Sequence, residues 1–206
     1  MKRLIKGTGK NSKAEYGRIF KARQGTRDFQ DMRRWKKLLS KFNGGVLVDV
    51  GCLDSMIIPL AHAKYPAGKN IYVGVDNADG VVTAMSRKYP YAYFHNTSIY
   101  DKNTLMDVGA DYIVMGEVLE HLEEPRRAIE VVMSKLKPGG VLALSVPWEE
   151  TELGEVDKER HIWSFSPGDI DELLKPYGRV IIQRLGSRWF PYRYAFPSIV
   201  AFCIKK

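Results

Sequence analysis

The stretch Val46-Leu47-Val48-Asp49-Val50-Gly51-Cys52-Leu53-Asp54-Ser55 decides how the rest of the chain is read. Its first five residues form a near-continuous β-branched and apolar run that closes on a glycine. Such a run marks a strand covered on both faces in a parallel sheet. A glycine directly after the strand lets backbone approach a ligand where a side chain would clash. Asp49 is placed to accept a hydrogen bond from an ammonium group or to orient the loop.

Upstream, Met32, Trp35, Leu39 and Phe42 share one helical face, with Leu38 beside them. This predicts an amphipathic helix packed on the domain and stopped by Asn43-Gly44-Gly45. Residues 1–27 show scattered Gly, Lys and Ser without a clear period, and read as a mobile or loosely packed arm.

Downstream, strand and helix patterns alternate. A helix is predicted over 55–64 with Pro59 in its first turn, a strand over 71–75 and a helix over 81–88. Short strands follow at 91–94 and 112–115. Pro125 opens a helix whose buried stripe is Ile129, Val132, Met133 and Leu136, and Pro138-Gly139-Gly140 ends it. A strand at 141–146 follows, then a helix opened by Ser166-Pro167, and strands at 180–185 and 198–204. The reading is an α/β fold: a Rossmann-like, doubly wound, seven-stranded sheet, mostly parallel. The last two strands are joined only by an irregular connection, so they should be antiparallel neighbours.

The whole-chain numbers agree. A chain of 206 residues, 45% hydrophobic and 27% charged, suits one folded domain rather than a disordered segment. No apolar run is long enough to span a bilayer. The basic start lacks the apolar stretch of a secretory signal. Two cysteines, Cys52 and Cys203, are too few for a disulfide framework, and a cytoplasmic protein with reduced thiols is expected. Residues 1–42 hold fourteen Lys/Arg against three acids, so the remainder carries −3 of the net +8. The basic character therefore belongs to an N-terminal region (1–42), not to the domain proper (43–206). Such a region either attracts phosphates or is an ordinary solvated face.

Doubly wound sheets bind ligands at the carboxyl ends of their strands, near the topological switch point. The second strand ends in Gly74-Val75-Asp76, about two dozen residues after the glycine turn. An acid there is placed to accept both hydroxyls of a ribose. The dinucleotide pattern G-x-G-x-x-G fails, because Leu53 and Asp54 follow Gly51.

Taken in order, Asp49-Val50-Gly51-Cys52, Gly74-Val75-Asp76, Glu117-Val118-Leu119-Glu120-His121-Leu122 and Lys137-Pro138-Gly139-Gly140 resemble the class I S-adenosylmethionine-dependent methyltransferase superfamily, in particular its ubiquinone-biosynthesis O-methyltransferase-like group. The resemblance spans roughly residues 46–185. It implies S-adenosylmethionine as cofactor. Asp49, Gly51 and Cys52 would lie along its methionine part, Asp76 at the ribose and Asn77 beside the adenine. Thr97 and Ser98 would stand where the family often has an acid near the adenine amino group. Met115, Gly116 and Glu117 would flank the methionine end. The chain departs from the family at Leu53 and Ser55, where further glycines are common.

Two further features bear on the acceptor. At spacing i, i+3, i+4, Glu117, Glu120 and His121 would share one helical face. They either hold a divalent metal or shape the cofactor pocket and pair with a basic residue. His161 can act as a base toward an acceptor hydroxyl, or is structural. The acceptor pocket is expected from the N-terminal helix, the loop 148–163 and the aromatic, arginine-rich segment 188–196. Three functions follow: a methyltransferase for a small molecule, one for RNA that uses the basic arm, or an inactive cofactor-binding partner protein.

Overall fold

The computed structural model describes residues 2–3, 13–23, 29–101, 109–148, 161–186 and 198–206. The apolar run that opens the domain is strand β2 (Val46–Val50). Ahead of it come β1 (Lys2–Arg3), helix α1 (Lys13–Arg23) and helix α2 (Phe29–Leu38). After it come α3 (Ile57–Lys64), β3 (Ile71–Asp76), α4 (Val81–Lys88), β4 (Tyr93–Asn96) and β5 (Ala110–Gly116). Then follow α5 (Pro125–Lys135), β6 (Leu136–Pro147), β7 (Trp163–Ser164), α6 (Pro167–Leu174), β8 (Gly178–Leu185) and β9 (Ser198–Lys205).

Seven strands form one sheet in the order β4-β3-β2-β5-β6-β9-β8. All neighbours are parallel except β9, which runs antiparallel to both β6 and β8. The chain winds outward from β2 to β4, then returns to place β5 on the other side of β2. The crevice above β2 and β5 is thus the topological switch point, where loops diverge and leave room for a ligand.

Alternation along each strand sorts side chains into two layers. Leu47, Tyr72, Tyr112, Val114 and Phe202 face α2 and α3, meeting Trp35, Leu38, Phe42, Ile57 and Ile58. Val48, Val50, Ile113, Met115 and Leu142 face α5 and α6, meeting Ile129, Val132, Met133, Ile170 and Leu174. The Tyr112 hydroxyl donates to the Leu38 carbonyl and ties α2 to the sheet. Ser166 opens α6 with a reciprocal cap: its hydroxyl accepts from the Asp169 N–H, and the Asp169 carboxylate accepts from the Ser166 N–H.

Several sequence expectations shift in detail. The helix expected from residue 55 starts at Ile57, because Ser55 is held in the preceding turn by its N–H bond to the Cys52 carbonyl. The third strand of the sheet begins at Tyr93, since Ala92 is still turned back on the Tyr89 carbonyl. Helix α5 stops at Lys135, where Leu136 pairs with Ala110 and enters the sheet. The largest difference lies in residues 13–23. Their weak pattern, with Tyr16 and Phe20 one turn apart, nevertheless makes a helix whose Phe20 is buried against Cys52, Ala78, Val81 and Met85. Among the described residues no helix is long and apolar enough to cross a membrane.

Candidate active site

Asp49, the polar member of β2, is 3% exposed. Its carboxylate accepts from the Ser55 hydroxyl, and that hydroxyl in turn accepts from the Ile57 N–H at 3.3 Å. Burial raises the Asp49 carboxyl to about 7, the Ser55 bond opposes this, and the nearby Asp76 charge adds to it. Asp76, the last residue of β3, accepts from the Leu53 N–H and the Ala78 N–H, both at 2.8 Å. Burial raises its carboxyl as well, against the pull of those N–H donors. The loop between them is tight: Gly51 and Cys52 donate their N–H groups to the Val75 carbonyl.

Gly51 sits at φ +68°, and a Cβ there would lie 2.5 Å from a Val118 methyl. Glycine is thus required twice over, by backbone conformation and by the close approach of the β5 loop. Leu53 follows at φ +32°, uncommon for a non-glycine residue. Ser55 and Leu53 are the two departures from the family's glycine loop, and both have work here. One hydroxyl orients Asp49, and one N–H orients Asp76.

The other expected positions fall out differently. Asn77 is exposed at the end of β3. Thr97 is buried, and its N–H donates to the Asp76 carbonyl at 3.1 Å. The Ser98 hydroxyl is taken up locally, accepting from the Tyr100 N–H at 3.3 Å. The Met115 side chain is fully buried in the core layer under α5, so only its backbone is available to a ligand. Cys52 is likewise turned into an apolar cluster, where burial pushes its thiol well up and keeps it protonated.

The acidic-histidine motif does not form the helical face its spacing suggests. Glu117 adopts φ +57° and breaks the chain before a single 3-10 turn, Leu119–His121. Glu117 is therefore not part of the cluster that Glu120 joins. Its carboxylate accepts from the Ser145 hydroxyl at 2.8 Å and lies 3.7 Å from the Arg34 Nε. Glu120 and His121 instead meet His161: their ligand-type atoms lie within 4.8 Å of one another. The His121 and His161 rings make an edge contact at 4.6 Å, and His121 Nε2 is 3.9 Å from the Glu120 carboxylate. The Ile162 N–H holds this segment down by donating to the Glu120 carbonyl at 2.8 Å. The set Glu117, Glu120 and His121, one of the two alternatives for this motif, does not assemble; Glu120, His121 and His161 come together instead. The reason is the left-handed backbone at Glu117, which no i, i+4 count anticipates.

Arg34 and Ser145 were missed by sequence reasoning. Ser145 had a signal, as the polar residue inside the apolar run of β6, whereas Arg34 is one cation in a basic stretch. The aromatic segment 188–196 and most of the loop 148–163 lie outside the described residues.

The donor set fits the cofactor the motifs imply. Two buried carboxylates, each destabilised as an anion by burial, would be relieved by a cationic ligand. Asp76 keeps acceptor capacity for a diol hydroxyl, because a carboxylate accepts about four hydrogen bonds and the backbone N–H groups of Leu53, Ala78 and Asn77 do not fill it. As a test, affinity for S-adenosylhomocysteine is expected to rise about tenfold from pH 6 to pH 8 and to stay flat in Asp49→Asn. The sign follows from the raised carboxyl. The folded protein holds an extra proton between about pH 4 and 7, so the ligand-free fold loses stability as pH rises through that window. A cation that needs the ionised form binds better above it. Titration calorimetry across that range checks this.

Comparison with known proteins agrees with this geometry. Residues 24–184 match the methyltransferase domain family. A trans-aconitate 2-methyltransferase of Variovorax paradoxus (strain S110) is 28% identical over 101 residues, 49% of this chain and 38% of that protein, so the match spans well under half of the relative's length. Among solved structures, a 1,6-didemethyltoxoflavin-N1-methyltransferase of Burkholderia thailandensis superposes with a TM-score of 0.73 at 13% identity, covering 94% of this chain and 87% of that one. The N-methyltransferase NodS of Bradyrhizobium japonicum WM9, solved with S-adenosyl-L-homocysteine, gives 0.70 at 15% identity, covering 92% and 98%. These likenesses establish the shared fold. With the family match over most of its length, the chain belongs to the methyltransferase domain family and carries the class I, Rossmann-like fold of S-adenosylmethionine-dependent methyltransferases.

Proposed function

We propose that this chain is an S-adenosylmethionine-dependent methyltransferase acting on a small-molecule acceptor. The observation that carries the cofactor side is the pair of buried carboxylates, Asp49 and Asp76, each oriented by the loop that departs from the family pattern. Asp76 would hold the ribose and Asp49 the cationic end, with Asn77 beside the base. Glu117 would line the methionine side, kept in place by Ser145 and Arg34. When bound, the cofactor supplies a methyl group already activated on a sulfonium. The protein then has to align the acceptor and exclude water, so positioning carries most of the work.

On the acceptor side, His161 is 7% exposed and sits beside His121 at the carboxyl end of β5. We assign it the role of base toward an acceptor proton, in one cluster with His121 and the Glu120 carboxylate. A small acceptor is supported by the enclosure of this corner: the Tyr16 ring lies edge-on to His121 at 5.7 Å. The relatives point the same way, one being named for trans-aconitate and one solved with 1,6-didemethyltoxoflavin.

The deciding experiment has two steps. Calorimetry should show binding of S-adenosylhomocysteine. A panel of hydroxyl, carboxyl and amine small molecules should then show transfer of labelled methyl. Transfer only to RNA, with binding that weakens steeply as salt rises, would favour the basic arm as a clamp instead. Binding without transfer to any acceptor would favour an inactive partner protein. A metal at Glu120, His121 and His161 would show as activity lost with a chelator and restored by a divalent cation.

A further inference from the structure

A stacked pair stands apart from Asp49 and Asp76, on the other flank of the sheet. The Arg184 guanidinium lies over the Trp148 indole, 3.9 Å from the ring centroid. Trp148 follows the last residue of β6, and Arg184 is the penultimate residue of β8. Both strands run antiparallel to β9, so they are parallel to each other and end on the same side as β5. Val146, Ile199 and Arg184 stand in register across β6, β9 and β8 and share one face. Trp148 packs in the core layer that holds Leu119 and Phe165, and it bridges to Phe165, four residues past His161. The pair is therefore at the carboxyl end of the sheet, on the same side of it as the segment that carries His161.

Its chemistry is that of an anion receptor. Attraction between cation and ring holds the flat face of an arginine on an indole. The stack fixes the guanidinium plane in advance and keeps its forked N–H edge for another partner. Arg184 is exposed, and among the described residues its N–H donors meet no protein acceptor. Residues 43–206 sum to −3, so this is not one cation of a generally basic surface. One guanidinium balances one negative charge, that of a carboxylate, whose two oxygens match the fork. A phosphate monoester carries close to twice that charge. Neighbouring strands lie about 4.8 Å apart, so β8 is about 10 Å from β6, with β5 one spacing farther. With Trp148 on the β6 end, the stack lies roughly 10 Å from the β5 turn that carries Glu120 and His121.

We propose that Arg184, held flat against Trp148, is a specificity-determining residue that binds a carboxylate on the acceptor, at the end remote from the methylated atom. This names the acceptor class and rests on the small-molecule reading above. Acceptors would be elongated monoanions, with the carboxylate roughly 10 Å from the reacting atom.

The test uses the full chain, isotope-labelled and saturated with S-adenosylhomocysteine. The probe is para-hydroxycinnamate, whose hydroxyl and carboxylate stand at opposite ends. The Trp148 indole N–H signal, assigned by its loss in Trp148→Phe, should shift saturably as probe is added. The neutral carboxamide of the same shape should bind at least about tenfold more weakly, and so should the acid to Arg184→Gln. Arg184→Lys should stay weak, because an ammonium keeps the charge but has no planar fork. Arg184 is exposed, so these variants should melt with the wild type. No shift at Trp148, equal binding of acid and amide, or unchanged binding in Arg184→Gln would each overturn the proposal. Tenfold tighter binding of phenyl phosphate than of the acid would overturn the carboxylate in favour of a phosphate. Absence of S-adenosylhomocysteine binding by calorimetry would overturn the cofactor assignment instead, and the same titration without it would still read the anion site.

Discussion

Asp76→Ala is expected to weaken S-adenosylhomocysteine binding by about a hundredfold or more, since hydrogen bonds to a charged acceptor contribute roughly 1.5–3 kcal/mol each and a diol would use two. Calorimetry reads this directly. The same variant should barely change the melting temperature. Its Leu53 and Ala78 N–H groups lose an acceptor, which costs stability. Against that, the folded chain no longer confines a carboxylate whose ionisation its burial disfavours. Loss of binding without loss of stability is the signature of a residue kept for its ligand. An affinity within threefold of wild type would remove Asp76 from the cofactor site.

His161→Gln is expected to lower turnover of a hydroxyl acceptor by about a hundredfold, within the usual range for removing a general base. Glutamine approximates the size of the ring but cannot take up a proton near neutral pH. Cofactor affinity should stay within about twofold, because the proposed cofactor contacts, Asp49 at the cationic end and Asp76 at the ribose, lie on other strands. The acidic limb of the pH–rate profile should also disappear, a change that a purely structural histidine would not cause. If turnover falls little and the limb remains, His161 acts only as packing for His121, from whose ring it lies 4.6 Å.

These two residues differ in how readable they were. Asp76 ends an apolar run at a fixed distance from a glycine turn, and strand periodicity places it with one choice of register. The sheet and the antiparallel final pair were legible for the same reason. Buried strands have to be apolar on both faces, and that constraint is written locally. His161 was legible only as a histidine in a loop. Its partners come from the turn after β5, forty residues earlier, and the bond from Ile162 to the Glu120 carbonyl that joins them is a backbone contact with no sequence mark.

Misreadings have the same origin. Helical counting put Glu117 with Glu120 and His121, but the left-handed backbone at Glu117 turned its carboxylate toward Ser145 and Arg34. The resemblance placed Met115 at the methionine end, and alternation sends its side chain into the core, which leaves only its backbone for that position. The weak pattern of residues 13–23 hid a helix that is held by contacts with distant loops.

By itself, then, the sequence determined the succession of elements: a buried strand, a glycine turn, an acid closing the next strand, and a doubly wound, mostly parallel sheet. Those features depend on neighbouring residues and on the two periods of regular structure. Tertiary structure alone decided which side chains face one another. It paired Ser55 with Asp49, separated Glu117 from Glu120, brought His161 to His121, and laid α1 on Leu53. Some of these are local, such as the Ser55–Asp49 bond six residues apart, and others join segments far apart in the chain, but all are set by how loops leave the sheet and pack, which the two periods of regular structure do not encode.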